Sequence, residues 1–270
     1  MRKLNQSDHE NVMKLLSKKP AENLFTLWGI ESYGYEGDIQ TLWGQFDSKG
    51  DLIAVLCKFK NKYTPYWETE CNLQKFADII NTDTNEKEVN GIERLTKEIE
   101  PYITDGYDKR ESYYYAKCDP KQDLNSSDSV RCISKEEIPQ LISFYQEVPE
   151  FKREYNPESF IDQMNNGWSR IFVIGEHEKF VSSASTVCET SVAAMVSGVC
   201  TLPAKKGKGL ASICIEHLMY NLFQENKTLT LFYDNPEAGR IYKRLGFKDI
   251  EKWTINFCKE RNNHNDNQCR

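Results

Sequence analysis

The segment Lys206–Ala211, which reads Lys-Gly-Lys-Gly-Leu-Ala, constrains the fold of this chain more than any other feature. An apolar run with strand character, residues 193–202, precedes it. Apolar residues then recur at the spacing of an amphipathic helix, starting at Leu210. The sequence therefore predicts a strand, a basic glycine-rich turn and a helix N-terminus. Such a turn presents free backbone N–H groups and the positive end of a helix dipole, so the predicted ligand carries phosphate.

Two better-known phosphate-binding turns do not fit this segment. The nucleotide P-loop needs four residues between its first glycine and a Gly-Lys-Ser/Thr, and that spacing is absent. The dinucleotide fingerprint needs a third Gly or Ala where this chain has Ser212. The turn alone also fits a tight connection in which a helix merely packs on a strand. The residues that follow the helix decide between these interpretations.

A second segment, after a short predicted strand at residues 229–233, has the signals of a well-capped helix. Asn235 is a typical N-cap residue, and Pro236 suits the first helical position. Gly246 suits the left-handed residue that ends a helix. The apolar residues between them fall on one face, and Tyr242 lies on that inward face.

With both segments in place, residues 199–257 resemble the GNAT superfamily of acetyl-CoA-dependent N-acetyltransferases. The family's turn reads Arg/Gln-x-x-Gly-x-Gly/Ala, and Lys206–Ala211 fits it with Lys at the first place. The family's second signature has Asn, Pro, Ala and then Tyr-x-x-x-Gly-Phe, which the segment Asn235–Phe247 matches. The resemblance implies an α+β fold with a mixed, mostly antiparallel sheet flanked by helices.

The length of 270 residues suits two units of this fold in tandem. Residues 1–118 are predicted to form an N-terminal α+β unit with a similar helix-helix-hairpin-strand order. That unit lacks both motifs, so we interpret it as a degenerate GNAT-like copy without cofactor. Residues 119–129 are polar and predict a linker, residues 130–259 the catalytic GNAT domain, and residues 260–270 a polar tail.

The resemblance implies that acetyl-CoA is the cofactor, with coenzyme A as product, and that it lies in a gap between two splayed strands. One strand edge would pair with the pantetheine arm, the glycine-rich turn would hold the pyrophosphate, and the cap residue of the second helix would lie near the arm. The residues that it assigns to these roles are Val199, Cys200, Thr201, Lys206, Gly207, Lys208, Gly209, Leu210, Ala211, Ser212 and Asn235.

The resemblance also places Tyr242 beside the sulfur as general acid, whereas an ordinary inward tyrosine is a packed core side chain. A phenol suits a departing thiolate better than it suits an amine donor at neutral pH. Family members often carry a Glu on the strand before the turn, but residues 192–198 contain no carboxylate. Glu189, in the preceding turn, is the candidate catalytic base. A water relay or an acceptor amine that arrives neutral are the alternatives.

We therefore expect an acyltransferase that acetylates a primary amine of a small molecule by direct attack in a ternary complex. No serine or cysteine constellation argues for a covalent enzyme intermediate. A non-catalytic acyl-CoA-binding sensor or scaffold is one alternative, and acetylation of a protein or peptide amine is another. The sequence does not specify the acceptor or the oligomeric state.

Composition excludes several other classes of function. The net charge of −6 argues against general binding to nucleic acid or to an anionic membrane. No apolar run approaches the ~20 residues of a membrane span, and the N-terminus is too polar for a signal peptide. The nine cysteines are scattered, without a Cys-x-x-Cys pair, which favours reduced thiols over a disulfide framework or a metal site. We expect a cytoplasmic protein.

Overall fold

The computed structural model describes residues 1–259 except Asp123 and Asn125. The chain divides into two compact units. The first unit comprises residues 1–114 and the segment from 251 onward, and the second comprises residues 115–250. The predicted tail, residues 260–270, lies outside the described residues.

The strands and helices follow one another in the α+β order that the sequence predicts. The strands are β1 (Arg2–Lys3), β2 (Gln40–Phe46), β3 (Leu52–Phe59), β4 (Lys62–Trp67), β5 (Glu88–Ile92), β6 (Tyr107–Cys118), β7 (Val130–Cys132), β8 (Ile171–Glu176), β9 (Lys179–Val187), β10 (Ala193–Thr201), β11 (Thr228–Tyr233) and β12 (Lys248–Cys258). The α-helices are α1 (His9–Leu16), α2 (Leu24–Tyr33), α3 (Leu73–Thr82), α4 (Glu93–Ile99), α5 (Ile138–Gln146), α6 (Pro157–Asn165), α7 (Leu210–Gln224) and α8 (Pro236–Arg244). In the part of the chain that is described, no helix combines the length and the apolar content needed to cross a membrane.

In the first unit the strand order is β1-β2-β3-β4-β5-β12. The hairpin of β2 and β3 is antiparallel, as is the pairing of β3 with β4 and of β5 with β12. The pairing of β4 with β5 is parallel and short, since only Lys62 with Glu88 and Tyr63 with Val89 are in register. The first unit is therefore a mixed, mostly antiparallel sheet.

The second unit has the order β11-β10-β9-β8-β7. Its strands pair antiparallel from β7 to β10, and β10 pairs parallel with β11. Alternate residues of each strand enter different cores, because successive side chains point to opposite faces. Phe172 and Val196 pack with α7 on one face, whereas Ile171 and Val173 pack with α5 on the other. The predicted mixed, mostly antiparallel sheet flanked by helices is confirmed.

The observed units do not end where the sequence analysis places the domain boundaries. Residues 253–257 of β12 pair with β5, and the last strand lies in the first unit from Glu251 onward, whereas the sequence analysis places it in a domain spanning residues 130–259. The predicted linker, residues 119–129, belongs to the second unit, where the backbone N–H of Ser127 donates to Nδ1 of His217 at 3.1 Å. The β12–β5 pairing and the Ser127–His217 hydrogen bond each join residues that lie far apart along the chain, so local sequence patterns do not predict them.

Candidate active site

A β-bulge distorts the middle of β10. Ser197 lies opposite Ser185 of β9, but the next aligned pair is Cys200 with Ser183, so β10 carries one extra residue. Gly198, within the bulge, has a φ of +59° in the left-handed region that favours glycine. Bulges bend a strand and increase its local twist. The second half of β10 therefore departs from the direction of the first.

The bend opens a gap between β10 and β11. The two strands pair only at three positions, which end at Met195 of β10 and Thr230 of β11. Both strands continue beyond this point, β10 to Thr201 and β11 to Tyr233, without further aligned pairs in the described residues. The edge of β10 that faces the gap thus has backbone N–H and C=O groups free to pair with an extended ligand.

Serine hydroxyls of β9 hold the bulge in place. Oγ of Ser183 donates to the carbonyl of Gly198 at 2.7 Å, and Oγ of Ser182 donates to the carbonyl of Cys200 at 3.0 Å. Oγ of Ser185 likewise donates to the carbonyl of Ser197 at 3.0 Å. These hydroxyls satisfy carbonyls at the bulge, where the ladder is disrupted. Sequence analysis did not identify them, although polar residues in a buried strand were a usable signal.

The glycine-rich turn leaves the N-terminus of α7 open. Gly207 and Gly209 have φ values of +79° and +77°, and no atom lies within 4 Å of a Cβ added to either. The backbone N–H of Ile213 donates to the carbonyl of Gly209 at 3.1 Å. The amides of residues 210–212 precede this bond and have no intrahelical acceptor. No side chain caps the helix, so its positive end is available to an anion.

A cavity of about 610 Å³ lies among the free part of β10, the turn with the start of α7, and helix α8. Its lining residues are Val199, Thr201, Lys205, Lys206, Gly207, Gly209, Leu210, Ala211, Ser212, Ala238, Ile241, Tyr242 and Arg244. Most of the predicted cofactor-binding residues are among them, and so is the predicted acid. The fold therefore brings residues from three separate elements to one cavity.

The other predicted cofactor-binding residues do not line this cavity. Cys200 is buried with the cluster that contains α5, on the opposite face of the sheet. Lys208 is exposed. The Oδ1 atom of Asn235 accepts the backbone N–H of Glu237 at 2.9 Å and so caps α8. The structure gives these residues core, surface and cap positions, and their cofactor role stays a prediction.

Arg244 is a lining residue that the sequence analysis missed. It lies in the last turn of α8, and its Nη2 donates to Oγ of Ser212 in the first turn of α7 at 3.2 Å. This bond joins the helix that carries Tyr242 to the helix whose amides face the cavity. Arg244 also adds a fixed positive charge there. The residue stands inside the Tyr-x-x-x-Gly-Phe motif at a variable place, so the motif gave no signal for it.

The lysines of the turn are paired with carboxylates outside the cavity lining. Nζ of Lys206 lies 2.7 Å from Oε1 of Glu150, and both side chains are largely exposed. Lys205 forms an ion pair with Glu176. An exposed pair such as Lys206 with Glu150 contributes little to stability, so an incoming phosphate can compete for Lys206. Among the described residues, no carboxylate lines the cavity itself.

Tyr242 is partly buried and packs between two other rings. Its ring centroid lies 6.1 Å from that of Tyr233 and 6.1 Å from that of Phe247, the latter edge to face. It also lines the cavity. Burial raises the pKa of the Tyr242 phenol above its ordinary value. The phenol is therefore protonated at neutral pH and able to donate its proton.

Glu189 lies at the opposite end of β10 from the cavity. It is only 5% exposed, and its carboxylate accepts from Arg170 at 2.7 Å, from Lys227 at 3.1 Å and from the hydroxyl of Thr186. Burial opposes its ionisation, but these partners outweigh burial and hold the pKa of the carboxyl below its usual value. Val199, the first residue of β10 that lines the cavity, follows Ala193 by six residues, about 20 Å along an extended strand. The prediction that Glu189 acts in catalysis is not supported by this placement.

A second cavity, of about 420 Å³, lies at the bulge. It is lined mainly by aromatic and hydroxyl side chains, namely Tyr145, Phe151, Arg153, Glu154, Tyr155, Asn156, Ser159, Phe160, Gln163, Ser169, Ile171, Ser185, Val187, Ser197 and Gly198. Gly198 lines this cavity, and its neighbour Val199 lines the first. The bulge thus places two cavities at consecutive residues of one strand.

Comparison with protein families identifies the region that holds these features. Residues 173–255 match the model of the FR47-like protein family. The matched region contains the bulge, the glycine-rich turn and the whole of α8. A search of curated proteins found no match.

Solved structures resemble the chain over nearly its whole length. A Drosophila protein matches with a TM-score of 0.63 at 11% identity, covering 96% of this chain and 98% of the other. A tandem GNAT protein from the clavulanic acid biosynthesis pathway gives 0.57 at 10%, covering 96% and 98%. An acetyltransferase of the GNAT family from Colwellia psychrerythraea gives 0.54 at 13%, covering 96% and 99%.

At such low identity these likenesses concern the fold. The match to a tandem protein covers the first unit as well as the second. This agrees with the GNAT-like fold that the helix-helix-hairpin-strand order predicts for the first unit. The resemblance to the GNAT superfamily is confirmed, and the chain has the fold of the GNAT acetyltransferases, with two such units in tandem.

Proposed function

We propose that this protein is an N-acetyltransferase that moves an acetyl group from acetyl-CoA to a primary amine of a small molecule. The transfer proceeds by direct attack in a ternary complex. One observation carries the proposal: a single cavity joins the open N-terminus of α7, the free edge of β10 and Tyr242. The N-terminus of α7 suits a diphosphate, the free edge of β10 suits an extended amide chain, and Tyr242 suits a thioester.

The residues present fit coenzyme A. The amides of residues 210–212 and the positive end of α7 suit its pyrophosphate, and Lys206 and Arg244 add positive charge beside them. The free backbone of β10 near Val199 and Thr201 suits the amides of the pantetheine arm. When bound, acetyl-CoA supplies a thioester carbonyl that an amine can attack.

The chain's own residues then have three tasks. The glycine-rich turn binds and orients the cofactor, so that the thioester is held in a fixed position for attack by the amine. The bulge at Gly198 places the second cavity, from which the acceptor amine would approach, at the strand residue next to Val199 of the cofactor cavity. Tyr242, kept protonated by burial, holds a proton for the departing thiolate.

Deprotonation of the amine is assigned to no carboxylate. Glu189 is engaged by three partners at the far end of β10, and no carboxylate lines the first cavity among the described residues. Of the carboxylates in the described part of the chain, Glu154 alone lines the second cavity, and it lies in the segment between α5 and α6. Ser185 and Ser197 offer hydroxyls at the bulge. We therefore propose that water held by such hydroxyls takes the proton, or that the amine binds neutral.

A binding protein without turnover is the second candidate. The same lack of a carboxylate in the first cavity favours it, because a sensor needs no base. Tyr242 argues against it, since its phenol lies in the cavity with no task in binding phosphate. Acetylation of a protein amine is a third candidate, and the panel below includes a peptide for that reason.

The test combines calorimetry with a turnover assay. Coenzyme A is titrated into the protein, and thiol release from acetyl-CoA is then followed with a panel of small primary amines and a lysine peptide. We expect binding, and thiol release that depends on a small amine. Binding without release for any amine would support the sensor, and release with the peptide alone would support protein acetylation. Absence of coenzyme A binding would overturn the proposal.

A further inference from the structure

We infer that the acceptor of this enzyme is a primary amine carried on a flat, apolar ring, which the second cavity holds between aromatic side chains. The inference rests on the proposed acetyltransferase function and names its substrate class. The second cavity borders Gly198, so its ligand lies next to the strand edge of the first cavity.

The wall of the second cavity is a continuous row of rings. The centroid of Tyr145 lies 5.1 Å from that of Phe151 and 5.5 Å from that of Tyr155. Tyr155 in turn lies 5.8 Å from Phe160. These separations are those at which aromatic rings attract each other. The rings come from α5, α6 and the segment between them. Because they contact one another, their faces and edges together form one apolar wall for a planar group.

Three hydroxyl side chains lie at the inner end of the cavity, which the bulge forms. Tyr145 Oη would lie 2.8 Å from a Cβ at Gly198, so this phenol marks the bulge. Ser185 and Ser197 line the cavity beside it. Inner hydroxyls and an aromatic wall orient a ligand with its amine toward the bulge and its ring away from it. That orientation directs the amine at the first cavity.

Charge at the aromatic wall disfavours a ligand with several amines. The guanidinium carbon of Arg153 lies 5.1 Å from the ring centroid of Tyr155, so a cation of the protein already occupies one aromatic face. Glu154 is the other charged residue of the described lining, so the formal charges of that lining sum to zero. With opposite charges side by side, the cavity selects by shape and polarisability. A neutral ring suits it better than a second ammonium group.

The volume agrees with a small ligand. At about 420 Å³ the cavity is near the lower end of the range for small-molecule sites. One ring with a short aminoalkyl chain fits this space.

The experiment compares three amines on protein loaded with coenzyme A. Phenethylamine has a flat ring, 2-cyclohexylethylamine has a puckered ring of similar size, and spermidine has several amines and no ring. Calorimetry measures each affinity, and thiol release from acetyl-CoA measures each KM. We expect phenethylamine to bind about three- to tenfold more tightly than the cyclohexyl analogue, the advantage typical of ring pairs. Spermidine should bind most weakly.

A matched pair of variants tests the aromatic wall. Phe160→Leu keeps an apolar side chain and removes one ring, and Phe59→Leu makes the same change in the first unit. Only Phe160→Leu should remove the preference for phenethylamine, while coenzyme A binding stays unchanged in both. Equal binding of phenethylamine and the cyclohexyl analogue, no binding of phenethylamine, or tighter spermidine binding would overturn the inference. Loss of coenzyme A binding in the unaltered protein would instead overturn the proposed function.

Discussion

Gly198 of the bulge lies directly against the phenol of Tyr145. A Cβ placed on Gly198 would meet Tyr145 Oη at 2.8 Å and Ser185 Oγ at 2.4 Å, closer than real Cβ contacts allow. The residue is also in the left-handed region, with φ of +59°. The bulge that separates β10 from β11 and the wall of the second cavity are therefore built on one position where only glycine fits.

Replacing Gly198 with alanine should damage both stability and ligand binding. The left-handed conformation and the contacts with Tyr145 and Ser185 each resist a methyl group, so we expect a loss of about 2 kcal/mol in the free energy of unfolding. Relief of the clash requires movement of Tyr145 or of β10, so the KM for the amine should also rise. Urea unfolding and steady-state kinetics measure the two effects.

Gly175→Ala is the control for this change. A Cβ at Gly175 would meet only the carbonyl of Lys179, at an ordinary 3.6 Å, and its backbone is outside the left-handed region. This variant should keep the stability and the KM of the original protein. Equal loss in both variants would show that the effect does not come from the left-handed, crowded position of Gly198.

Glu189→Gln should lower stability without lowering kcat. The change removes the buried partner of Arg170 and Lys227 and leaves both with the more exposed Glu225 alone, so we expect a loss of roughly 2 kcal/mol in the free energy of unfolding. Because the folded-state pKa of Glu189 lies below its unfolded value, its stabilising effect is present above the unfolded pKa of about 4.3. It is lost as the pH falls through the folded pKa. The difference between Glu189→Gln and the original protein should therefore shrink in acid.

Urea unfolding from neutral pH down to about pH 3 follows this difference, and turnover is measured at a temperature where both proteins are folded. Glu178→Gln, in the exposed turn between β8 and β9, is the control and should change neither quantity. A large fall in kcat for Glu189→Gln at full folding would restore the idea that this carboxylate acts in catalysis.

Tyr242→Phe should lower kcat by at least about 100-fold, the lower bound for a positioned general acid. The change removes the hydroxyl and keeps the ring that packs on Tyr233 and Phe247, so folding and coenzyme A affinity should not change. Single-turnover kinetics measures the chemical step, and calorimetry measures the affinity for coenzyme A. Phe232→Tyr, which adds a hydroxyl on β11 outside the cavity lining, controls for nonspecific effects of ring hydroxyls. Undiminished turnover in Tyr242→Phe would remove Tyr242 from the mechanism.

Local signals predicted much of this site. The glycines of the turn, the cap at Asn235 and the inward face of α8 act over a few residues, so their patterns are visible in the sequence. Strand β5 was not predicted, because Asn90 and Gly91 are poor strand formers that long-range pairing holds in place.

Other features depend on tertiary contacts that no local pattern encodes. The serines of β9 act through their alignment with the bulge, and Arg244 acts through the approach of α8 to α7. Glu189 looked close to the turn in sequence, but an extended strand carries the chain far from it. The last strand pairs with β5, so a boundary based on composition alone could not place it in the first unit.

The protein should bind one coenzyme A per chain, in the second unit only. In the first unit β4 and β5 also pair in parallel over a short stretch, so a similar gap is possible. The segment that leads from β4 into α3 nevertheless carries Glu68 and Glu70 and no glycine. The side chain of Asn72 caps α3 by accepting the N–H of Lys75 at 3.2 Å, whereas no side chain caps α7. Negative charge and a filled cap both disfavour a diphosphate there.

Calorimetry of the full chain measures the stoichiometry, and Gly209→Val identifies the site. Valine at a φ of +77° is strained and should distort the start of α7, so this variant should lose all coenzyme A binding. Gly50→Val, at a φ of +88° in the turn between β2 and β3, is an equally strained control that should retain binding. A stoichiometry of two, or half of the binding remaining in Gly209→Val, would mean that the first unit also holds cofactor. Negative charge and a capped helix would then not prevent coenzyme A from binding there.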